Sequence, residues 1–212
     1  MMFAVIPACQ SGREPLPVLV PQQIDVAQAL QRGIFKLVID ASMIKVRTIK
    51  DSSIPVAASF YFNSGALNLN PGRSFFKTEI DITSFYSGLS VRDDNVLKVF
   101  FKTDETPNKA AFFSVAGLGK EKTAGLKTAK KLDELSVDGV LTYNQKEVMV
   151  KAILKISFNK YGRLVVETVK PFAVSISDLG LTKNLNELLV VCNHQSVDDV
   201  VQVEVHIEFE PG

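Results

Sequence analysis

The stretch Val200–Glu210, VVQVEVHIEFE, alternates without a break: Val201, Val203, Val205, Ile207 and Phe209 fall on one side, Gln202, Glu204, His206 and Glu208 on the other. A period of two is the period of a β-strand, so this segment is a strand with one dry face and one wet face. The same pattern recurs in IFKLVID (34–40), SMIKVRTIK (42–50), VAASFYF (56–62), SFFKTEIDI (74–82), AAFFSVAGL (110–118), LSVDGVLTY (135–143) and RLVVETV (163–169). In EVMVKAILKISF (147–158), Val148, Val150, Ala152, Leu154, Ile156 and Phe158 share the dry face, with Glu147, Lys151, Lys155 and Ser157 opposite. Long alternating strands with short connections and hardly any strand–helix–strand spacing specify an all-β chain. Its simplest solution is an antiparallel β-barrel of about eight strands, because closure removes exposed sheet edges.

Two local features refine this picture. Phe60 and Phe62 share one parity while Leu67 and Leu69 share the other, so either an extra residue near Gly65 or a tight turn must restore the phase. The block Glu79–Phe101, EIDITSFYSGLSVRDDNVLKVFF, changes period at Gly88. Ile80 and Ile82 belong to a strand; Val96, Leu97, Phe100 and Phe101 then fall at helical spacing behind Ser90 and Asp93, which have the spacing of a capping box. A second helix is expected in LTKNLNELLVVCN, with Thr182 as N-cap and Leu185, Leu188, Leu189 and Cys192 on one face, where Cys192 serves as a packing residue. A shorter helical pattern, IDVAQALQR, lies between Pro21 and Gly33 with Asp25 near its start. The barrel is thus expected to carry two short amphipathic helices, within one domain over residues 22–212.

Residues 1–21 read as a tail. MMFAVIPAC resembles the end of a lipoprotein signal in which Cys9 becomes lipidated, although it lacks a basic n-region and its apolar part is short. The prolines that follow favour an extended tether. With Cys9 and Cys192 the only cysteines, no disulfide framework is expected. A net charge of +1 gives no electrostatic reason to expect nucleic acid. No apolar run approaches the roughly 20 residues of a membrane-spanning helix. The Lys-rich stretch Lys120–Lys131 reads as a solvated loop.

No catalytic or metal constellation stands out. His194 and His206 are the only histidines, and neither has zinc-like spacing with other ligands. Asp93 and Asp94 suit the first turn of a helix, where carboxylates offset the macrodipole. Arg92 either pairs with a neighbouring acid or contacts a polar headgroup. The chain is read as non-enzymatic, with no cofactor apart from a bound lipid.

The interior of such a barrel is either filled by side chains or holds one small ligand, and patterning alone leaves both open. For the second case the expected lining comprises Phe60, Phe62, Phe76, Ile80 and Ile82, then Phe100, Phe101 and Phe112. Further along it takes in Val150, Ala152, Leu154, Ile156 and Phe158, then Val203, Val205 and Ile207. A wall of this kind selects an apolar ligand.

The central block resembles the YceI-like family of lipid-binding proteins. The matching residues are Ser87-Gly88, Arg92-Asp93, Leu97, Phe100-Phe101 and Pro107, with Phe112 in the next strand. Gly139, Leu141 and Thr142 resemble a second family segment, and residues 169–209 resemble its closing strand, helix and strand. The resemblance covers about Phe60 to Phe209. It departs from the family at Asn144-Gln145, where the turn is shortened, and in the Lys120–Lys131 insert and the N-terminus. It implies a lipocalin-like extended barrel, a periplasmic or envelope location, and a polyisoprenoid or other long fatty amphiphile carried in a hydrophobic tunnel; a homodimer is compatible with it. The alternative is a filled barrel serving as a structural or interaction module of the envelope.

Overall fold

A computed structural model describes residues 25–70, 72–105, 108–118, 125–126 and 131–212. Cys9 and the tail, Pro71, Pro107 and most of the Lys-rich stretch lie outside the described residues. In chain order the elements are helix α1 (Val26–Arg32), β1 (Ile34–Leu37), a 3-10 turn (Ile39–Ala41), β2 (Met43–Lys50), β3 (Ile54–Asn68) and β4 (Phe75–Tyr86). Helix α2 (Ser90–Asn95) runs into a π-helical turn (Val96–Phe100), followed by β5 (Ala110–Ala116), β6 (Lys131–Tyr143) and β7 (Lys146–Phe158). The chain continues through β8 (Leu164–Thr168), β9 (Phe172–Ser175), helix α3 (Thr182–Cys192) and β10 (Val200–Pro211).

All pairings are antiparallel. The sheet runs β10-β2-β3-β4-β5-β6-β7-β8, and β8 pairs back onto β10, closing a barrel of eight strands. The two remaining strands extend it. β1 continues the line of β2 beyond the 3-10 turn and sits between β10 and β3, while β9 lies beside the start of β10. The described chain therefore has the expected all-β barrel, with the two expected amphipathic helices and a third, α1, where the shorter helical pattern lay.

The phase problem in the third strand is solved by a bulge. β3 is continuous, and its register against β4 steps from Phe62↔Ile80 to Ser64↔Glu79, so Asn63 is the extra residue. An extra residue shifts every later side chain to the opposite face. Phe60 and Phe62 point inward before the bulge and Leu67 after it; all three are buried. Gly65 then faces the interior beside Leu37, whose Cβ lies 3.0 Å and Cδ1 2.7 Å from the place a Cβ on Gly65 would occupy. A glycine here is what lets Leu37 fill that space.

The helix starts differ from expectation. Leu89 and Leu181, not Ser90 and Thr182, occupy the N-cap positions of α2 and α3, and neither makes a side-chain cap. Asp93 does not form a capping box with Ser90. Its Oδ1 accepts from the backbone N–H of Ser87 at 2.9 Å and from the Ser87 hydroxyl, bracing the turn through Gly88. By contrast α1 starts as expected, with Asp25 accepting from the N–H groups of Ala27 and Gln28. The β6–β7 hairpin has the short turn foreseen at Asn144-Gln145, where both residues take positive φ, 44° and 63°.

The two ends of the barrel are filled differently. Toward α1, Phe35, Phe209 and Leu164 are fully buried, with Leu67 and Leu69 nearly so. Leu30 of α1 is buried against this end. Toward α2 and α3 the interior is hollow.

Candidate ligand cavity

The hollow follows from residue size. Inward positions on adjoining strands carry Val46 on β2, Ala58 on β3, Ala111 on β5 and Ala152 on β7, and all four line the cavity. Small side chains on the inward face of several strands leave space that larger residues fill elsewhere in the barrel. The cavity volume is about 290 Å³, at the lower edge of the roughly 300–1,000 Å³ typical of small-molecule sites.

Its aromatic wall is built around the π-helical turn. The Phe101 N–H donates to the Val96 carbonyl at 2.9 Å, the wider i→i−5 spacing, and this geometry lets both Phe100 and Phe101 reach the cavity. Phe101 packs edge-on against Phe60 at 5.8 Å, Tyr143 at 5.8 Å and Phe100 at 4.8 Å between ring centroids, and Phe60 meets Phe85 at 5.3 Å. Such edge-to-face pairs add to the stabilisation that burial alone provides. The turn is pinned from two sides. The Tyr143 hydroxyl is 2.9 Å from the Phe101 carbonyl and 3.3 Å from that of Asn108, and Asn184 Nδ2 of α3 donates to the Phe100 carbonyl at 2.7 Å. Burial, with the Glu105 charge nearby, pushes the Tyr143 phenol well above its ordinary range, so it stays a donor.

Helix α3 forms the roof. Leu185, Leu188, Leu189 and Cys192 face the cavity, which is the helical face the sequence spacing indicated, used as a wall instead of as core packing. Cys192 is half-buried, and its sulfur lies 3.5 Å from Asn95 Nδ2, joining the end of α3 to the end of α2.

Of the lining residues expected from the sequence, Phe60, Phe62, Phe76, Ile80, Ile82, Phe100, Phe101, Val150, Ala152, Leu154, Val203, Val205 and Ile207 lie on this wall. Three do not. Phe112 faces outward and is 51% exposed; Phe113 takes the inward position of β5. Adjacent phenylalanines carry no parity of their own, but the run Ala111, Phe113, Val115 and the glycine at Gly139 hold the signal. A Cβ on Gly139 would fall 2.4 Å from Cζ of Phe113, so the ring lies in the space that glycine leaves. Ile156 and Phe158 share the correct face of β7 but lie beyond the cavity: Ile156 pairs with Val166 and Leu132 and is buried, and Phe158 pairs with Leu164 at the filled end.

Polar groups on the wall are few. Thr78, 4% exposed, is one of them. Lys50, Arg92 and His194 line one margin and are partly exposed, so the cavity reaches the surface there. Arg47 in β2 turns its side chain outward, with its guanidinium 3.1 Å from Glu204. No cluster of three metal-ligating side chains occurs among the described residues, and no helix among them is long and apolar enough to cross a membrane.

Comparison with known proteins agrees with this architecture. No curated protein matches the chain in sequence. A polyisoprenoid binding domain from Saccharophagus degradans, implicated in plant cell wall breakdown, superposes with a TM-score of 0.72 at 19% identity, covering 84% of this chain and 98% of that one. BcnA of Burkholderia cenocepacia superposes with a TM-score of 0.55 at 17% identity, covering 81% of this chain and 98% of its own. At these identities the likeness is one of fold. The family model of the YceI-like domain matches residues 35–209, from the first strand of the sheet through Phe209 of the last, and the chain belongs to the YceI-like family.

Proposed function

We propose that this protein binds a long apolar chain, a polyisoprenoid or similar fatty amphiphile, without chemically changing it, and so carries or sequesters it. The observation that carries this reading is the cavity of about 290 Å³ with an almost wholly aliphatic and aromatic wall. Such a surface gains by losing water to an alkyl or prenyl chain and offers a polar ligand few partners. Family membership and the polyisoprenoid-binding description of the Saccharophagus degradans domain support it. Among the described residues the wall is mostly aliphatic and aromatic, with its charged side chains confined to the margin, which favours carriage over turnover.

Organic-solvent extraction of the purified protein followed by mass spectrometry is the direct test. A long-chain lipid in stoichiometric amount is expected. A dry extract, together with failure to take up added prenyl or alkyl chains, overturns the proposal.

A periplasmic or envelope location belongs to the same reading and rests on the family resemblance, and Cys9 as a lipid attachment site rests on the sequence of the tail. Metabolic labelling with a fatty acid should mark the wild type and not Cys9→Ala; equal labelling of both excludes acylation at that residue.

A further inference from the structure

The partly exposed margin of the cavity carries more positive charge than its neighbours neutralise. Lys50 is the last inward-facing residue of β2, continuing the line of Ile44, Val46 and Thr48 along the wall. Its Nζ lies 3.3 Å from Nε2 of His194, just after α3. An ammonium has only donors, so Nε2 is the acceptor and the ring proton sits on Nδ1, which faces Asp51 Oδ2 at 3.3 Å. Asp51 is heavily committed. Its Oδ1 accepts from the backbone N–H groups of Gln195, at 2.8 Å, and Ser196, at 3.2 Å. The Lys50 ammonium therefore has His194 Nε2 as its only hydrogen-bond partner among the described residues, and the one carboxylate that feels its charge, Asp51, is shared with His194.

Arg92 reaches the cavity from α2 and is half-buried, with no side-chain hydrogen bond or ion pair among the described residues. The carboxylates beside it in sequence are engaged elsewhere: Asp93 with Ser87, and Asp94 with Lys98 at 3.7 Å. Arg47, on the outer face of β2, shows the ordinary arrangement for a surface cation, since Glu204 answers its charge at 3.1 Å. The Asn95–Cys192 contact ties α2 to the end of α3, and His194 follows two residues later, so both cations belong to one rim. A cation partly withdrawn from water beside apolar surface is costly unless an anion answers it.

We infer that Lys50 and Arg92, with His194 positioning Lys50, form a headgroup site for an anion, a carboxylate or a phosphate, borne on the end of the apolar chain. This rests on the lipid-binding reading above and adds the chemistry of the ligand's polar end. The tail lies among Phe60, Phe101, Ala152 and the leucines of α3, and the head emerges where a guanidinium fork and an ammonium can both donate to it. Arg supplies bidentate geometry and Lys a movable point charge.

Competition for diphenylhexatriene bound in the cavity tests this with chains of one length. Palmitate and hexadecyl phosphate should displace the probe from the wild type at about tenfold lower concentration than hexadecanol, the effect of one charge-assisted hydrogen bond at a partly solvated site. The two anions identify which headgroup is preferred; an advantage for either one supports the site. Lys50→Gln and Arg92→Gln should each cut the anion-to-alcohol ratio by several fold, their combination should bring it close to one, and Arg92→Lys should keep most of it. Thermal midpoints near that of the wild type establish that the variants fold. Equal displacement by alcohol and anions, or a ratio that survives the double variant, overturns the headgroup site while leaving the apolar cavity standing. A protein that binds neither the probe nor any of the chains overturns both.

Discussion

The end of the barrel beneath α1 and the end beneath α2 and α3 are made from the same strands with the same alternation, yet one is solid and the other hollow. At the first end Phe35 beside Leu67 and Phe209 beside Leu164 are packed with almost no exposed surface. At the second, Val46, Ala58, Ala111 and Ala152 occupy the equivalent inward positions, and the large aromatics stand at the rim on a π-helical turn. Alternation decides which residues face inward; the sum of their volumes at each level decides whether the barrel is a core or a container. The solid end supplies stability, and the hollow end gives up packing for the ligand site proposed above.

The largest expected difference comes from changing side-chain volume at each end. Phe209→Ala should cost about 3–5 kcal/mol in urea unfolding, as for a fully buried aromatic. Ala152→Phe should cost less than about 1 kcal/mol, because the ring enters existing space, while weakening lipid uptake at least about tenfold. Similar stability losses for both, or full lipid uptake by Ala152→Phe, would break the distinction. Gly65→Val sharpens it from the opposite direction: added volume at the solid end collides with Leu37 and should cost about 1–3 kcal/mol, read from the same unfolding curves.

Smaller effects concern how the rim is held. Tyr143→Phe removes the hydroxyl beside the Phe101 and Asn108 carbonyls and should cost about 1 kcal/mol, with faster amide exchange confined to residues 96–105. Asp51 and Asp199 probe acid stability. Asp51 is held below the ordinary carboxyl range chiefly by the Gln195 N–H, and Asp199 chiefly by the Ser177 hydroxyl. A carboxyl depressed in the folded state stabilises above its unfolded pKa, near 3.8 here, and that contribution is lost as pH falls through the lower folded value. The thermal midpoint should thus decline below about pH 4, and more gently in a variant carrying Asp51→Asn and Asp199→Asn. The smallest effect lies at the β6–β7 turn. Gln145→Gly should stabilise by up to about 1 kcal/mol by relieving a positive φ, with no change in lipid uptake.

Much of this architecture is visible in the sequence because a period-two pattern is a local property. Nearly every strand, and the phase correction near Gly65, can be read from a few consecutive residues; β9 and the short turn at Asn144-Gln145 came only with the family resemblance. The choice between bulge and turn cannot, since it depends on whether β4 can pair across the extra Asn63. The filled and hollow halves are not distinguishable from any one strand, and for that reason Ile156 and Phe158 were expected on a wall that ends before them. Phe112 was singled out by the family resemblance, and it is Phe113 that faces inward: parity is ambiguous within a pair of like residues, and the decisive gap at Gly139 lies on another strand. The caps at Ser90 and Thr182 fit the spacing rules, but Asp93 found a stronger partner behind the turn in Ser87. The rim was the least legible part: Lys50 and His194 stand 144 residues apart, and nothing local to either marks the other.

The position of β10 also has a consequence for how the chain reaches this state. That strand contacts β1, β2, β8 and β9 and is synthesised after all of them. Until it emerges from the ribosome, β2 and β8 keep unpaired edges, and the apolar interior faces outward to any other chain. Barrel closure is therefore a late, long-range event of the kind that folds slowly and is prone to aggregation on the way. A nascent chain arrested before Val200 should depend on a holdase far more than the released protein does.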